Sequence, residues 1–512
     1  MGFFCLAPVF WVIHRAGWLR TPLYGLLYGF LSYALLNFWL VKFHPLTILI
    51  VPPIYSIYFL FLFPLLKAAD SLFPRYGFIV QTLIWVSYEF IKVQGFLAYS
   101  YGIVGYSQYL FLPLIKITEL TGVWGVSFLA VFPSALLGNA LKKSPSLFLP
   151  FVKKVMPSLI IYGALFGGVL IYGLIKVTDL KDSRLWKVAL IQHNIDPWKG
   201  GFKAYKNSLD ILTHLSSRAA AEHPEIIIWS ETAFVPALYW HTRYRTDHEV
   251  YGLVKRLKDY LGRQEQPFVI GNDDGQLKRT ASGQEVRVDY NATILFEGEE
   301  IIDTYRKLHL VPFTEHFPYR NILPGIYNWL RNADTHFWEK GTEYTVFEAG
   351  GVKFSTPICF EDTFGYLCRG FIKQGAEVLV NMTNDSWSNS VACAMQHMSM
   401  AVFRAVENRR SVVRATNGGI TCVIDPNGRI IGRLEPFTEG YLISLVPVYT
   451  EKNTLYTSWG DWFALLLLLL SAVSIIVGLI FRLKTGLKKG LTRELESRRI
   501  KLARGRGNEV KR

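Results

Sequence analysis

Three residues whose side chains can perform acyl transfer each follow, or lie within, a short apolar segment of the chain. Glu231 follows Ile226 to Trp229, Lys307 lies between Tyr305 and Leu308, and Cys359 ends the run Val352 to Ile358. A thiol can act as the nucleophile, a carboxylate as its general base, and a lysine as a partner for the oxyanion of a tetrahedral intermediate. These residue types in this order predict a cysteine-dependent acyl-transfer site.

Each of these residues, taken alone, has an ordinary structural interpretation. A cysteine after a hydrophobic strand is usually a small core residue, and an acid such as Glu231 often stabilises the first turn of a helix. Lys307, taken alone, is interpreted as an ordinary lysine at the edge of a strand. The functional interpretation therefore depends on the three residues together.

The segment between Lys181 and Glu451 alternates short apolar runs with amphipathic stretches, which is typical of an α/β domain. Strands are predicted at 186–192, 225–229, 268–271, 290–296, 352–358, 378–381, 412–416, 420–424 and 441–446, and helices at 202–221, 247–261, 364–374 and 392–408. Since α/β domains place their chemistry at strand ends, we expect Glu231, Lys307 and Cys359 to meet there.

Both ends of the chain are strongly apolar. The 512 residues are 51% hydrophobic, and runs near the 20 residues that span a bilayer lie at 23–41, 46–66, 78–97, 120–141, 155–175 and 462–481. The run Phe3 to Ile13 is shorter than a helix needs to span a bilayer. We therefore predict membrane helices over residues 1–178, an α/β catalytic domain over 181–451, a last membrane helix over 460–482 and a basic tail over 483–512.

The distribution of charge predicts the orientation. The net charge is +15, and residues 482–512 carry twelve Lys and Arg against three acids. A basic segment after an apolar span is typical of the cytoplasmic side, which favours a lipid-facing flank over a nucleic-acid arm. With alternating spans, this places residues 176–457 outside the cytoplasm. The five cysteines have no regular spacing, and the chain contains no phosphate-binding loop motif, so a disulfide framework, a zinc site and an ATPase are disfavoured.

The motifs around these residues resemble the carbon–nitrogen hydrolase (nitrilase) superfamily. They are Trp229-Ser-Glu-Thr-Ala233, Tyr305-Arg-Lys-Leu-His-Leu-Val-Pro-Phe-Thr-Glu315, Pro357-Ile-Cys-Phe-Glu361, Asn384-Asp-Ser-Trp387 and the segment from Gln396 to Gly419. Together with the flanking membrane spans, they resemble the apolipoprotein N-acyltransferase family within that superfamily. The resemblance implies an αββα sandwich attached to a transmembrane helical bundle.

The resemblance also implies roles for individual residues. It assigns a Glu-Lys-Cys triad to Glu231, Lys307 and Cys359, and it implies no cofactor and no metal. The supporting acids correspond to Glu315 and Glu361, and the residues of the substrate pocket or lid are Trp198, Asn384 and Trp387. This chain departs from the family at Phe360, where a tyrosine is common, at His193, and at its N-terminus, which begins partway through the early spans.

The implied activity is transfer of an acyl chain from a phospholipid, through a Cys359 thioester, to the N-terminal amine of a diacylglyceryl-modified apolipoprotein. We expect a monomer in the bacterial cytoplasmic (inner) membrane, with the catalytic domain on the periplasmic side, the C-terminus in the cytoplasm and no nucleic-acid partner. One alternative is a membrane-tethered amidase or hydrolase that uses water as the acceptor. Another is a transporter or receptor whose extracytoplasmic domain only binds a ligand.

Overall fold

The computed structural model describes residues 2–43, 45, 47–141, 145–196, 199–280, 283–332 and 337–509. Eight helices precede the α/β domain. They are α1 (Ala7–Arg15), α2 (Thr21–Leu36), α3 (Thr47–Leu72), α4 (Gly77–Ile91), α5 (Leu112–Ile115), α6 (Thr118–Thr121), α7 (Val123–Leu141) and α8 (Pro145–Ile175). By length and composition, α3, α7, residues 150–175 of α8 and residues 462–485 of the last helix can cross a membrane, whereas α2 and α4 are apolar but shorter.

Two of the expected spans end or break where backbone geometry changes. The run 23–41 is α-helical only to Leu36. Asn37 ends the helix, its side-chain amide donates to the Tyr33 carbonyl at 2.9 Å, and a 3₁₀ helix (Phe38–Lys42) follows. The run 120–141 is divided by Gly122, whose φ of +65° lies in the left-handed region that favours glycine. The helix α7 therefore starts at Val123.

The α/β domain contains two six-stranded sheets packed face to face. The first sheet has the order β12 (Gly440–Val448), β1 (Arg184–Gln192), β2 (Ile226–Ile228), β3 (Phe268–Arg279), β4 (Glu285–Glu297) and β5 (Glu300–Arg306). The second has the order β11 (Ile430–Arg433), β10 (Cys422–Ile424), β9 (Ser411–Asn417), β8 (Val378–Asn384), β7 (Val352–Ser355) and β6 (Phe347–Ala349). In each sheet the central strands are parallel.

Helices cover the outer face of each sheet, which confirms the expected αββα arrangement. The remaining helices are α9 (Gly201–Ala220), α10 (Leu238–Tyr244), α11 (His248–Leu261), α12 (Pro324–Asn332), α13 (Gly365–Lys373), α14 (Val391–Asn408), α15 (Leu455–Trp459) and α16 (Trp462–Glu509). Alternate residues of β1 face opposite ways, as the pleat requires. Ala189 and Ile191 pack in the cluster that contains α9 and α11, whereas Val188 and Leu190 face the second sheet.

One hydrophobic core runs from the sheets into the membrane helices. It joins Val188 of the first sheet, Met382 of the second and Val402 of α14 to Val86 of α4 and Trp124 of α7. Polar contacts cross the same boundary, including the Arg409 guanidinium to the Glu119 carboxylate at 2.6 Å. The α/β domain is therefore packed directly on the helical bundle.

The sequence pattern located the buried central strands but missed β5, β6 and β11. In β5 the first four residues are exposed, and β6 and β11 are short strands at the two edges of the second sheet, so none carries a long apolar run. The predicted strand 352–358 ends at Ser355. Beyond it, only Ile358 pairs, through a single bridge to Met382, before a short 3₁₀ helix from Cys359 to Thr363.

Candidate active site

Lys307 is buried between two carboxylates. It follows β5, and its backbone N–H donates to the Asn291 carbonyl at 2.8 Å, which continues the pairing with β4. Its ammonium lies 2.8 Å from Glu315 Oε1 and 3.4 Å from Glu231 Oε1. Burial alone would lower the pKa of Lys307, but the two carboxylates outweigh burial and raise it. Lys307 is therefore a fixed cation inside the domain.

Glu231 lies just past the carboxyl end of β2 and contacts both sheets. Its Oε1 accepts from the Asn291 side chain at 2.8 Å as well as from Lys307. Its Oε2 accepts from the Asn384 backbone N–H at 3.0 Å, at the end of β8 in the opposite sheet. This carboxylate is held in one orientation by donors on three separate strands or strand ends.

Cys359 occupies a sharp turn at the end of the β7 segment. Its φ of +50° is rare for a residue with a side chain and costs about 1–2 kcal/mol. Cys359 is partly exposed, whereas Cys368, Cys393 and Cys422 of the same domain are buried. The turn thus leaves the residue partly exposed, while its thiol lies where the charges of Glu231 and Lys307 act on it.

The electrostatic surroundings of Cys359 keep its thiol protonated at rest. Burial raises the pKa of the thiol well above its ordinary value, and the Glu231 carboxylate raises it further, while the Lys307 ammonium opposes the rise. A protonated thiol is a weak nucleophile and requires a base at the moment of attack. Glu231 and Asp385 are the carboxylates whose charges act on this thiol.

Two further acids hold the site together. Glu315 accepts from Lys307 through Oε1 and from the Val311 backbone N–H through Oε2, at 2.8 Å each. The buried Glu361 accepts from the backbone N–H groups of Leu308 and His309 at 2.7 and 2.8 Å, from that of Ile358 at 2.7 Å, and from the Tyr305 hydroxyl. Burial raises the pKa of Glu361 to about 7. Glu361 therefore ties the Lys307 segment to the cysteine turn.

The residues expected from the sequence to form the pocket or lid do not share one environment in the structure. The Asn384 side-chain oxygen accepts from Ser386 Oγ in the following loop at 2.7 Å and from the Asn417 side chain at the end of β9 at 3.1 Å. Trp387 is half-buried and packs edge-on or tilted against Phe43 and Trp39 of the membrane part, with ring centroids 5.7 Å apart in both pairs. Trp198 lies outside the described residues.

Sequence reasoning missed the polar residues that support this site from behind. Asn291 and Asn381 contact Glu231 and the Cys359 backbone, and Asp362, Asp385, His397 and Arg414 form a buried charged cluster. The available signal was a set of polar residues inside otherwise buried runs, such as Arg414 in β9. A buried charge must be paired, so such residues indicate a partner even before the fold is known.

Comparisons with known proteins agree with this architecture. The carbon–nitrogen hydrolase family profile matches residues 187–452, and the apolipoprotein N-acyltransferase N-terminal domain profile matches residues 1–136. Apolipoprotein N-acyltransferase 1 of Treponema denticola is 43% identical over 91% of this chain and 89% of its own length. The protein of the same name from Treponema pallidum is 41% identical over 93% and 90%, respectively.

Among solved structures, a mutant of the Nesterenkonia AN1 amidase from the nitrilase superfamily is similar, with a TM-score of 0.36. It is 17% identical, covering 53% of this chain and 94% of that chain. The family assignment rests on the two profiles and the two Treponema relatives, because together they extend over both the membrane helices and the α/β domain. The chain belongs to the apolipoprotein N-acyltransferase family, whose α/β part is a carbon–nitrogen hydrolase domain.

Proposed function

We propose that this protein is an apolipoprotein N-acyltransferase, which transfers an acyl chain from a phospholipid to the N-terminal amine of a diacylglyceryl-cysteine on a lipoprotein. The observation that carries the proposal is a buried lysine, held between two carboxylates, within electrostatic reach of a partly exposed cysteine. The domain that holds these residues shares its core with membrane helices. Both substrates in this reaction are anchored in a bilayer, which accounts for that shared core.

In the first half-reaction, Glu231 takes the thiol proton while the Cys359 sulfur attacks the ester carbonyl of the phospholipid. Lys307 and the Phe360 backbone N–H stabilise the oxyanion of the tetrahedral intermediate. The intermediate then collapses as the ester C–O bond breaks, and the leaving oxygen receives the proton from Glu231. Lysophospholipid departs, and Cys359 carries the acyl chain as a thioester.

In the second half-reaction, the α-amine of the acceptor attacks the thioester carbonyl and Glu231 takes a proton from the amine. The same cation and N–H stabilise the second oxyanion. The C–S bond breaks, the sulfur is reprotonated and an amide is formed. Lys307 remains charged throughout, since its raised pKa prevents it from acting as the base. The kinetics should be ping-pong.

We propose that an exposed apolar row beside the site contacts the bilayer. Tyr319, Ile322, Leu323, Ile326 and Trp329, from α12 and the turn before it, are each more than one third exposed. Aromatic and aliphatic side chains on one face of a short helix partition into the lipid interface. The segment Phe234 to Trp240, by contrast, is largely buried and packs inside the domain.

Intact mass of the purified protein tests the first half-reaction. After incubation with phospholipid and no acceptor, wild type should gain one hydroxylamine-sensitive acyl chain and release one lysophospholipid per protein. Cys359→Ala should gain none. Cys5→Ala, which removes an exposed thiol outside the α/β domain, is the matched control and should acylate as wild type does. An unmodified wild-type protein, confirmed to be folded, would refute phospholipid as the donor.

The same incubation separates this proposal from a membrane-tethered hydrolase. A transferase stops after one turnover until an amine acceptor is added, because its thioester resists water. A hydrolase releases lysophospholipid continuously without any acceptor. Sustained release in the absence of acceptor would therefore favour the hydrolase, whereas full ligand binding by Cys359→Ala with no acyl adduct on wild type would favour a receptor.

A further inference from the structure

A buried charged cluster lies directly behind the cysteine turn, and the mechanism above does not use it. It consists of Asp362 in the 3₁₀ helix, Asp385 after β8, His397 in α14 and Arg414 in β9, and each residue is 2% exposed or less. Arg414 pairs with Asp362, and its second terminal nitrogen lies 3.8 Å from Asp385. Four charged groups from four elements therefore converge on one point.

The contacts of His397 require a doubly protonated ring. Its Nδ1 lies 3.2 Å from Asp385 Oδ1, and its Nε2 lies 2.9 Å from Asp362 Oδ1. A neutral imidazole has only one N–H, so one of its nitrogens would direct a lone pair at a carboxylate. Burial and Arg414 would lower the pKa of His397, but Asp362 and Asp385 outweigh them and raise it to about 9. His397 is thus an imidazolium at neutral pH.

The same imidazolium reaches the nucleophile's own peptide group. His397 Nε2 lies 3.3 Å from the Cys359 carbonyl oxygen, so its single N–H is shared between that oxygen and Asp362 Oδ1. The same carbonyl accepts from Asn381 Nδ2 at 3.0 Å. These two donors hold the carbonyl of a residue whose φ of +50° is unfavourable on its own. They fix the orientation of the whole peptide plane, because the peptide unit is rigid.

In a trans peptide, the N–H points opposite to the carbonyl, so fixing the Cys359 carbonyl also directs the Phe360 N–H. Phe360 lies in the first turn of the 3₁₀ helix, where N–H groups have no partner within the helix. Among the hydrogen bonds of the described residues, the Phe360 N–H donates to none. This N–H is therefore free to receive the oxyanion, and a cation on the opposite side of the peptide strengthens it as a donor.

We propose that His397 is a positioning residue: its imidazolium, anchored by Asp362 and Asp385, directs and polarises the Cys359–Phe360 peptide so that the Phe360 N–H stabilises the oxyanion. The inference rests on the proposed acyl-transfer function and adds to it a role for His397, a residue of α14. The alternative is that the cluster only stabilises the fold.

Two reactions of Cys359 separate the roles, because only one of them forms an oxyanion. Acylation by a p-nitrophenyl ester passes through a tetrahedral oxyanion, whereas alkylation by iodoacetamide is a displacement at carbon without one. In His397→Gln, we expect the single-turnover acylation rate to fall about tenfold to a hundredfold, since losing one oxyanion donor costs about 10² to 10³. The alkylation rate should stay within about twofold of wild type.

Glu407→Gln is the matched control. Glu407 lies on the same helix, is equally buried and pairs with Arg404 at 2.9 Å, but none of its hydrogen bonds or ion pairs among the described residues reaches Cys359 or Phe360. This variant should lose stability while its ratio of acylation to alkylation rate stays that of wild type.

The pH dependence of acylation gives a second test. The acylation rate of wild type should fall as pH rises through about 9, and this decrease should be absent from His397→Gln.

The outcomes are distinct. Equal losses of acylation and alkylation in His397→Gln would assign the cluster a structural role and overturn the inference, as would unchanged acylation. The wild-type mass experiment with phospholipid is independent of both reagents. A wild type that reacts with the p-nitrophenyl ester but not with phospholipid would refute the proposed donor while leaving the role of His397 measurable.

Discussion

At the scale of single residues, the charges around Cys359 have opposing effects on the pKa of its thiol. Glu231 disfavours the thiolate and Lys307 favours it, and burial disfavours it most. In the proposed mechanism the thiol is therefore neutral at rest, and the thiolate forms only when a substrate carbonyl is in place. A resting thiol is also less prone to oxidation, since oxidation follows thiolate character.

Glu231→Gln should change two reactions of Cys359 in opposite directions. Removing the carboxylate lowers the pKa of the thiol, so alkylation by iodoacetamide at pH 8 should become faster than in wild type. Acyl transfer should fall by about 10² to 10⁴, because the general base is lost. The measurement is a pair of rate constants on the same preparations, and slower alkylation in the variant would contradict this electrostatic account.

His397 should make stability depend on pH. Its pKa is raised to about 9 in the folded protein, against about 6.5 in an unfolded chain, so its stabilising contribution is complete below pH 6.5 and disappears as pH rises through 9. The shift corresponds to about 3 kcal/mol. The groups that face the ring are Asp362, Asp385 and Arg414. The Tm gap between wild type and His397→Gln should be largest near pH 6 and should narrow by pH 10, and a gap independent of pH would contradict the assignment.

At the scale of elements, the site depends on short connections between strand ends. Glu361 joins the end of β5 to the turn after β7 by accepting three backbone N–H groups and one hydroxyl. The Lys307 segment follows β5 of the first sheet and the cysteine turn follows β7 of the second, so no β-ladder connects the two segments directly. The Glu361 carboxylate makes that connection.

Glu361→Ala should therefore destabilise the protein by about 3 kcal/mol or more, since each buried N–H left without an acceptor costs about 1–3 kcal/mol. Glu361→Gln keeps one acceptor oxygen and should cost less. The exposed Glu435, paired with Arg433 at 3.1 Å on the surface, supplies the control, and Glu435→Ala should be nearly neutral. Thermal unfolding in detergent measures all three, and equal effects at positions 361 and 435 would remove Glu361 from this role.

At the scale of the whole molecule, the α/β domain and the helical bundle share a core, so the orientation of one determines the position of the other. The Trp387 loop, which follows Asn384 of the site, packs on Trp39 and Phe43. The candidate active site consequently lies close to the boundary between the two parts, where the proposed lipid-anchored substrates would present their reactive groups.

The proposed topology can be tested by labelling in intact spheroplasts. In a background with Cys5→Ala and Cys359→Ala, we expect Lys278→Cys, at the exposed tip of the β3–β4 hairpin, to react with a membrane-impermeant maleimide. Lys484→Cys, at the exposed C-terminal end of residues 462–485, should react only after lysis. The reverse pattern would place the catalytic domain in the cytoplasm and contradict the proposal.

The sequence by itself determined the division into apolar ends and an α/β domain, the central strands and the three residues of the proposed triad. Periodicity and apolar run length are local properties, and the chemistry of a Glu, a Lys and a Cys after apolar runs is apparent without coordinates. Edge elements such as β5, with exposed residues at its start, carried no comparable signal.

Only the tertiary structure determined which polar residues meet. Glu231 and Asn384 are 153 residues apart in sequence and 3.0 Å apart in space, and His397 reaches the Cys359 carbonyl from another helix. Such pairings depend on how two sheets and a helix pack, which no local pattern specifies. The left-handed φ of Cys359 likewise follows from no local pattern, because an isolated cysteine would avoid it, and the residues that contact its carbonyl lie on other elements.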